Sequence, residues 1–300
     1  MIRDLPEEIE GNIFLVRGER NGQFPFCHTI LITGDVRVLI DPGCGIEALR
    51  SLQDDFTPDM VVYSHAHPDH CSGCGVFPPE ILWGPEQWKE STGNLRLMAE
   101  RFIREDYWEE WISYMKEKAG FREFRPSHFF DEVHPFSLGG ITLEPVHVPG
   151  HTDDHYCFYI PEQKIMLSTD IDFSSFGPWY ANPESDIDRF IASIRKVRDY
   201  DIRTLVSPHR GVIREGIGEA FEAFLGVFKA REDRILSFLN KPRSLEDFED
   251  AALIYGRYPT RGRVLRFWER QMIEKHLGRL FASGIISQEK GGRFRLRETS

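Results

Sequence analysis

The stretch Ser64-His65-Ala66-His67-Pro68-Asp69-His70 limits what this chain can become more than any other. Three histidines and an aspartate fall within six residues, directly after the apolar run Met60-Val61-Val62-Tyr63. A short apolar run of this kind reads as a buried strand, so the cluster stands where a strand ends. In an extended segment alternate side chains point the same way. His65, His67 and Asp69 can therefore face one point, and His70 turns in from the opposite phase. Imidazole and carboxylate are good ligands for zinc, iron or manganese, and Pro68 stiffens the loop that carries them. With 11 histidines in 300 residues, three so close together are not a chance grouping.

Other chemistry-bearing residues also follow apolar runs. Asn12 to Val16, Thr29 to Ile32 and Val36 to Ile40 alternate as strands of a meander, with turns at Gly18 to Gly22 and Gly34-Asp35, and the last strand runs into Asp41-Pro42-Gly43. Ile46 to Gln53 reads as a short helix. Residues 85–118 read as one long aromatic helical stretch, with Trp108, Trp111, Ile112 and Met115 at helical spacing. Strands resume at Phe136 to Leu138 and Ile141 to Val148, which leads into Pro149-Gly150-His151-Thr152. Tyr156 to Ile160 and Lys164 to Leu167 follow, the second ending in Ser168-Thr169-Asp170. Ser185 is placed to cap a helix through Phe190, Ile194 and Val197. Thr204 to Val206 ends in Ser207-Pro208-His209. A sheet that gathers its strand ends brings Asp41, the 65–70 cluster, His151, Asp170 and His209 to one edge.

These five motifs, HxHxDH at 65–70, PGHT with His151, STD with Asp170, SPH with His209 and the leading Leu39-Ile40-Asp41-Pro42-Gly43, resemble those of the metallo-β-lactamase superfamily. The resemblance covers roughly residues 10–215 and implies an α/β fold, an αββα sandwich with a dinuclear site in its upper edge. Carried over by position, it implies that His65, His67 and His151 hold one metal, that Asp69, His70 and His209 hold the other, and that Asp170 bridges both. Asp41 would orient the histidine loop from behind. Two divalent metals, zinc or else iron or manganese, about 3.5–4 Å apart can share a hydroxide that attacks an electrophilic carbonyl or phosphorus. Asp69 or Asp170 would orient that nucleophile. Glyoxalase-like members often carry a histidine at the position of His155, usually after Gly; here Asp154 precedes it. His155 is thus a substrate or supporting contact, or plain packing. The aromatic run Phe173-Ser174-Ser175-Phe176-Gly177-Pro178-Trp179-Tyr180 suggests a substrate wall, with the Tyr180 hydroxyl as an oxyanion donor. Cys71 and Cys74 have CxxC spacing without a second pair, which fits a turn after the metal loop better than a redox couple.

Charge divides the chain in two. The net charge is −11, but residues 219–300 hold 16 Lys+Arg against 12 Asp+Glu, so the first 218 residues carry −15. The expectation is a catalytic domain over 1–218, with a helical insertion at about 85–125, and a small domain over 219–300. Phe221 to Leu239, Ser244 to Ala252 (opening with a Ser-x-x-Asp cap) and Arg266 to Ser283 read as helices. The third places Ile273, Leu277, Leu280 and Phe281 on one face. A hairpin over Ile285-Ile286-Ser287 and Phe294-Arg295-Leu296 completes the outline of a winged helix. Tyr255 to Ser287 is similar to the C-terminal segment of the β-lactamase-like protein 2 group, which includes endoribonucleases. Arg257, Arg261, Arg263, Arg266 and Arg270, with Arg293, Arg295 and Arg297 in the hairpin, would serve nucleic-acid contact or, preferably, pocket shaping or a homodimer. The expected activity is hydrolysis of a small-molecule ester, thioester or lactone; an RNA-cleaving phosphodiesterase and a di-iron redox or sensor protein are the alternatives. The N-terminus shows no apolar leader, no run is long enough to span a membrane, and five cysteines suit a reducing cytoplasmic setting.

Overall fold

A computed structural model describes residues 6–53, 56–259 and 262–297. Arg261 lies outside the described residues. Seven strands form one sheet in chain order: β1 (Glu7–Glu10), β2 (Ile13–Val16), β3 (Thr29–Ile32), β4 (Val38–Ile40), β5 (Met60–Val62), β6 (Leu82–Pro85) and β7 (His128–Phe130). Strands β1 to β4 pair antiparallel as a meander, and β4 to β7 pair in parallel. A second sheet holds β8 (Phe136–Ser137), β9 (Thr142–His147), β10 (Tyr156–Ile160), β11 (Ile165–Leu167), β12 (Thr204–Ser207) and β13 (Gly211–Ile213). Within it only β11 and β12 run parallel.

Strands β3 and β4 do not alternate as expected; like β10 and β11 they are buried at successive positions because both faces of the sheets are covered there, while the edge strand β1 is mostly glutamate. In β3, Ile30 and Ile32 enter the core between the sheets while Leu31 faces outward into a helical layer. Val38 and Ile40 against Leu39, and Val62 against Val61, repeat the pattern. From the second sheet, Phe158, Ile160, Ile165, Leu167 and Val206 point to the inter-sheet core, and Cys157, Tyr159, Met166 and Leu205 point away from it. The outer layer on the first sheet comes from α1 (Ile46–Gln53), α2 (Leu95–Phe102) and α3 (Trp108–Lys118). The second sheet is covered by α4 (Ile187–Arg198), α5 (Ile217–Phe238), α6 (Leu245–Ala251) and α7 (Arg263–Ala282), followed by a hairpin of β14 (Ile286–Gln288) and β15 (Phe294–Leu296). The layers are helix, sheet, sheet, helix, as expected from the motifs.

Several local expectations change. Residues 85–118 are not one helix: β6 ends at Pro85, a short turn spans Glu90–Gly93, and α2 and α3 are separated by a 3-10 turn at Glu105–Tyr107. Asn94 supplies the break by capping α2 through Leu97 N at 3.0 Å. The cap of α4 is Asp186, which accepts from Arg189 N; Ser185 instead donates to His151 O at 2.6 Å. Ser244 and Asp247 form the reciprocal capping box expected for α6. Ile273, Leu277 and Leu280 are buried, but Phe281 is 48% exposed, because it lies one position past the buried stripe. All five cysteines are buried and free, Cys71 and Cys74 included. Among the described residues no helix is long and apolar enough to cross a membrane.

Candidate metal centre

Strands β4 and β5 are parallel neighbours, so their C-terminal ends stand side by side. Asp41 follows β4 in a left-handed conformation, φ 53°, a strained state for a side-chain-bearing residue and typical of functional positions. It turns its carboxylate onto the loop after β5. Oδ1 accepts from Ser64 N at 2.7 Å, and Oδ2 accepts from Ser64 Oγ and His70 Nδ1, both at 2.8 Å. Pro68 opens a single helical turn, Pro68–Cys71, that swings Asp69 and His70 back toward His65 and His67.

Each histidine has one ring nitrogen committed, which leaves the other free. His65 Nδ1 donates to Ser64 Oγ at 2.9 Å, whose own proton goes to Asp41. His151 Nδ1 donates to Trp179 O at 2.7 Å and His209 Nδ1 to Gly22 O at 2.6 Å. His67 is reversed: Nδ1 faces the cluster, and Nε2 meets the side-chain amide of Asn182 at 2.8 Å. Asn182 Oδ1 is otherwise buried without a partner, so hydrogen-bond completeness turns that oxygen toward the His67 Nε2–H.

The free atoms form two adjacent sets, His65, His67, His151 and Asp170, and Asp69, His70 and His209. In the first, His67 Nδ1 lies 3.0 Å from His65 Nε2 and 2.8 Å from His151 Nε2, while Asp170 Oδ2 is 3.6, 3.8 and 3.0 Å from His65, His67 and His151. In the second, Asp69 Oδ2 is 4.0 Å from His70 Nε2 and 3.6 Å from His209 Nε2. Asp170 Oδ1 reaches the same two nitrogens at 2.8 and 3.4 Å. One carboxylate thus spans both sets.

The donors fit divalent cations. Converging lone pairs at about 3 Å repel unless a cation lies among them, and His70 Nε2 and Asp170 Oδ1 are buried without a hydrogen bond. Burial lowers the His65 and His67 pKa values, His67 to about 3, which keeps both rings neutral and ligand-competent. Burial opposes charge on His70 and His209 as well, but there the carboxylates prevail. Asp170 and Asp41 raise His70, and Asp170 and Asp69 raise His209 to about 9. Asp170 is held well below the usual carboxylate range, since His70, His151 and His65 outweigh its desolvation. This surplus of acceptors is a site built for positive charge.

The cluster opens into a cavity of about 940 Å³ lined by His67, Asp69, His151, Asp170 and His209, and by Phe173, Phe176 and Trp179 from the aromatic run. Tyr180 and His155 do not belong to that wall. Tyr180 is fully buried, and its hydroxyl is held by His276 Nε2 at 2.8 Å and Arg231 Nη1 at 3.0 Å, so it cannot serve as an oxyanion donor. The run turns at Gly177, φ +79°, which sends Trp179 to the cavity and Tyr180 into the core. His155 is also buried; its Nε2 meets Asp170 N at 3.1 Å and Thr169 Oγ1 at 2.7 Å, and so braces the Asp170 turn from beneath.

Three contributors were not readable from sequence. Asn182 sits in a loop without a motif. Arg231, in the middle of α5, is 1% exposed and donates to Phe176 O at 2.6 Å and to Pro178 O. It thereby fixes the loop whose Trp179 carbonyl orients His151. Gly22 O, which orients His209, comes from a turn in which Arg20, Asn21 and Gly22 are all left-handed.

Comparison with known proteins agrees with this geometry. The family model of the metallo-beta-lactamase superfamily matches residues 22–209. An atrochrysone carboxyl ACP thioesterase of Cryptosporiopsis sp. is 24% identical over 80% of this chain and 66% of its own length. The beta-lactamase-like protein 2 homolog of Caenorhabditis elegans is 21% identical over 90% of this chain and 85% of its own. A metallo-beta-lactamase family protein of Thermus thermophilus superposes with a TM-score of 0.72 at 19% identity, covering 97% of this chain and all of that one. The family model spans well over half of the chain and ends on the last of the clustered histidines; this chain belongs to the metallo-beta-lactamase superfamily of hydrolases.

Proposed function

We propose that the protein is a two-metal hydrolase that cleaves a small ester, thioester or lactone. One observation carries this reading: seven candidate ligands fall into two neighbouring sets that share the two oxygens of Asp170, at one end of a cavity whose other walls are largely aromatic and aliphatic. His65, His67 and His151 would hold one ion, Asp69, His70 and His209 the other, with Asp170 between them. Zinc, iron or manganese bound there supplies an activated water and an electrophile for a carbonyl oxygen. Asp69 lines the cavity with Oδ2 toward His209 and is placed to orient the attacking water and to carry its proton to the leaving group. Phe102, Trp179 and Trp268 exclude bulk water around the reacting carbonyl.

Residues 219–300 are read as a winged-helix-like domain that shapes the pocket. Leu265 and Trp268 of α7 and Tyr255 line the cavity, and Trp268 Nε1 donates to Phe102 O at 3.0 Å across the mouth. Three of its arginines pair with carboxylates: Arg266 with Asp250, Arg270 with Glu274, and Arg279 with Asp188 and Glu232, at 2.7 to 3.1 Å. The lining by Tyr255, Leu265 and Trp268 favours a pocket-building role over a grip on phosphates. The test is metal quantification with a panel of ester, thioester and lactone substrates, with the His67→Ala variant and single-stranded RNA as controls. The reading expects about two metals per chain and thioester or ester hydrolysis lost in the variant. Metal-replete protein that cleaves RNA alone would overturn it.

A further inference from the structure

We propose that the cavity receives an apolar acyl group laid against one face of α5, so that the enzyme selects medium-length or ring-bearing acyl groups over acetyl-sized ones. This rests on the hydrolase reading above and adds the substrate class. A cavity of about 940 Å³ is of the size that encloses a drug-sized ligand, far more than an acetyl group occupies. Beyond the ligand cluster its walls include Phe102, Phe173, Phe176, Trp179, Tyr255 and Trp268, with Gln23, Asp172, Ser174 and Ser175 as the uncharged or acidic polar part of the lining. Rings of this kind gain from burying apolar surface and from edge or face contact with a second ring.

The floor is set by α5. Ala220, Ala223 and Val227 line the cavity at one-turn spacing, while Phe221, Phe228 and Ile235 of the same helix are buried in the core. The helix is seated closely against the aromatic loop: a Cβ on Gly177 would lie 2.8 Å from Val227 Cγ1. With helix and loop fixed, the two alanines leave room that larger side chains would take up. The charge pattern points the same way. Arg210 is the one lysine or arginine among the lining residues; it is exposed and donates to Phe173 O at 3.3 Å. A cavity made for a phosphate chain would be expected to present converging cations, and this one presents aromatic faces.

The experiment uses the metal-loaded 300-residue chain and a series of N-acetylcysteamine thioesters: acetyl, butyryl, hexanoyl, octanoyl and phenylacetyl. We expect kcat/KM to rise about fourfold per added methylene until the cavity is filled, with the phenylacetyl arm telling a ring preference from a chain preference. Binding of octanoate and phenylacetate, read from tryptophan fluorescence, gives a measure that does not depend on turnover. Ala223 is exposed on its helix, so Ala223→Leu should fold; it is expected to lower the octanoyl-to-acetyl ratio at least tenfold and weaken octanoate binding at unchanged metal content. Ala220→Leu is the second variant, with the same expectation. Hydrolysis that is flat across the series, or ratios unmoved in both folded variants, overturns the acyl-site proposal and leaves the hydrolase reading standing. Octanoate binding that both variants weaken, without hydrolysis of any thioester, ester or lactone, supports the acyl site and overturns the hydrolase reading.

Discussion

At the scale of single residues, the site depends on side chains that never touch a substrate. Asp41 satisfies Ser64 N, Ser64 Oγ and His70 Nδ1 at once, with both oxygens buried. Asp41→Ala leaves three polar groups without their acceptor, and a lost charge-assisted hydrogen bond costs about 1.5–3 kcal/mol. The expected outcome is a lower thermal midpoint together with loss of metal from the His70 side, measured by calorimetry and metal analysis. His28 makes a different prediction. It is 2% exposed and accepts from Gly18 N at 2.9 Å, and burial, aided by Arg17, lowers its pKa to about 4. Folded His28 therefore stays neutral between about pH 6.5 and 4 while the unfolded chain takes up a proton. Its contribution to stability is full above the upper value and is lost as the pH falls toward the lower, on the order of 3 kcal/mol across that window. Urea midpoints measured between pH 7 and pH 4 should fall less steeply for His28→Gln than for the parent. Equal slopes would remove His28 from this account.

At the scale of elements, the loop between β11 and α4 does the most positioning, and it is held from α5. Arg231 of α5 donates to Phe176 O, Pro178 O and Tyr180 Oη and lies over the Phe176 and Tyr180 rings, 4.7 and 5.4 Å from their centroids. Between those anchors lies Trp179, whose carbonyl accepts from His151 Nδ1 and whose ring meets His67 edge-on at 5.3 Å. Arg231→Met keeps the length and loses the donors. It should weaken metal binding at the His65, His67 and His151 set about 10- to 100-fold, the usual cost of losing an orienting partner, with a smaller effect on the Asp69, His70 and His209 set. Competition titration with a chromophoric chelator separates the two. Asn182→Ala should act on the same set through His67 alone.

For the whole molecule, the charge boundary near residue 218 is not a boundary of packing. Phe221, Phe224 and Phe228 of α5, and Met272, Ile273, Leu277 and Leu280 of α7, share one core with Val146, Tyr180, Phe190 and Leu205. A chain ended at residue 218 would expose that surface and is expected to be insoluble or to unfold without cooperativity, as judged by soluble yield and near-UV circular dichroism. A truncated chain with a sharp thermal transition would contradict this. Removing metal with a chelator should lower the thermal midpoint of the intact protein, because ions that bind only the folded state stabilise it by mass action.

The ligand cluster was legible in the sequence because each member follows a strand end with its own short motif; the alternation of an extended segment did not set the convergence, since Asp69 and His70 lie on the helical turn Pro68–Cys71 and Asp69 falls in the set opposite His65 and His67. Asp41, the 65–70 stretch, His151, Asp170 and His209 all meet at one edge, as the shared strand-end placement implies. The layering came from the resemblance those motifs carry; strands expected to alternate proved buried on both faces, as in β3 and β4, because helices cover the outer side. What surrounds the cluster was legible in part: Phe173, Phe176 and Trp179 of the expected wall line the cavity, and the rest was decided only in three dimensions. Tyr180 and His155 have the right chemistry and neighbourhood, yet a left-handed glycine and a buried threonine turn them away from the cavity. Asn182, Arg231 and the Gly22 carbonyl do orienting work from loops and a helix with no signature, across separations of 115, 53 and 187 residues. Local pattern records what a residue can bind. Which partner completes its second hydrogen bond, and which members of an aromatic run turn away from the space above it, depends on packing between segments far apart in the chain, and that information exists only in the folded structure.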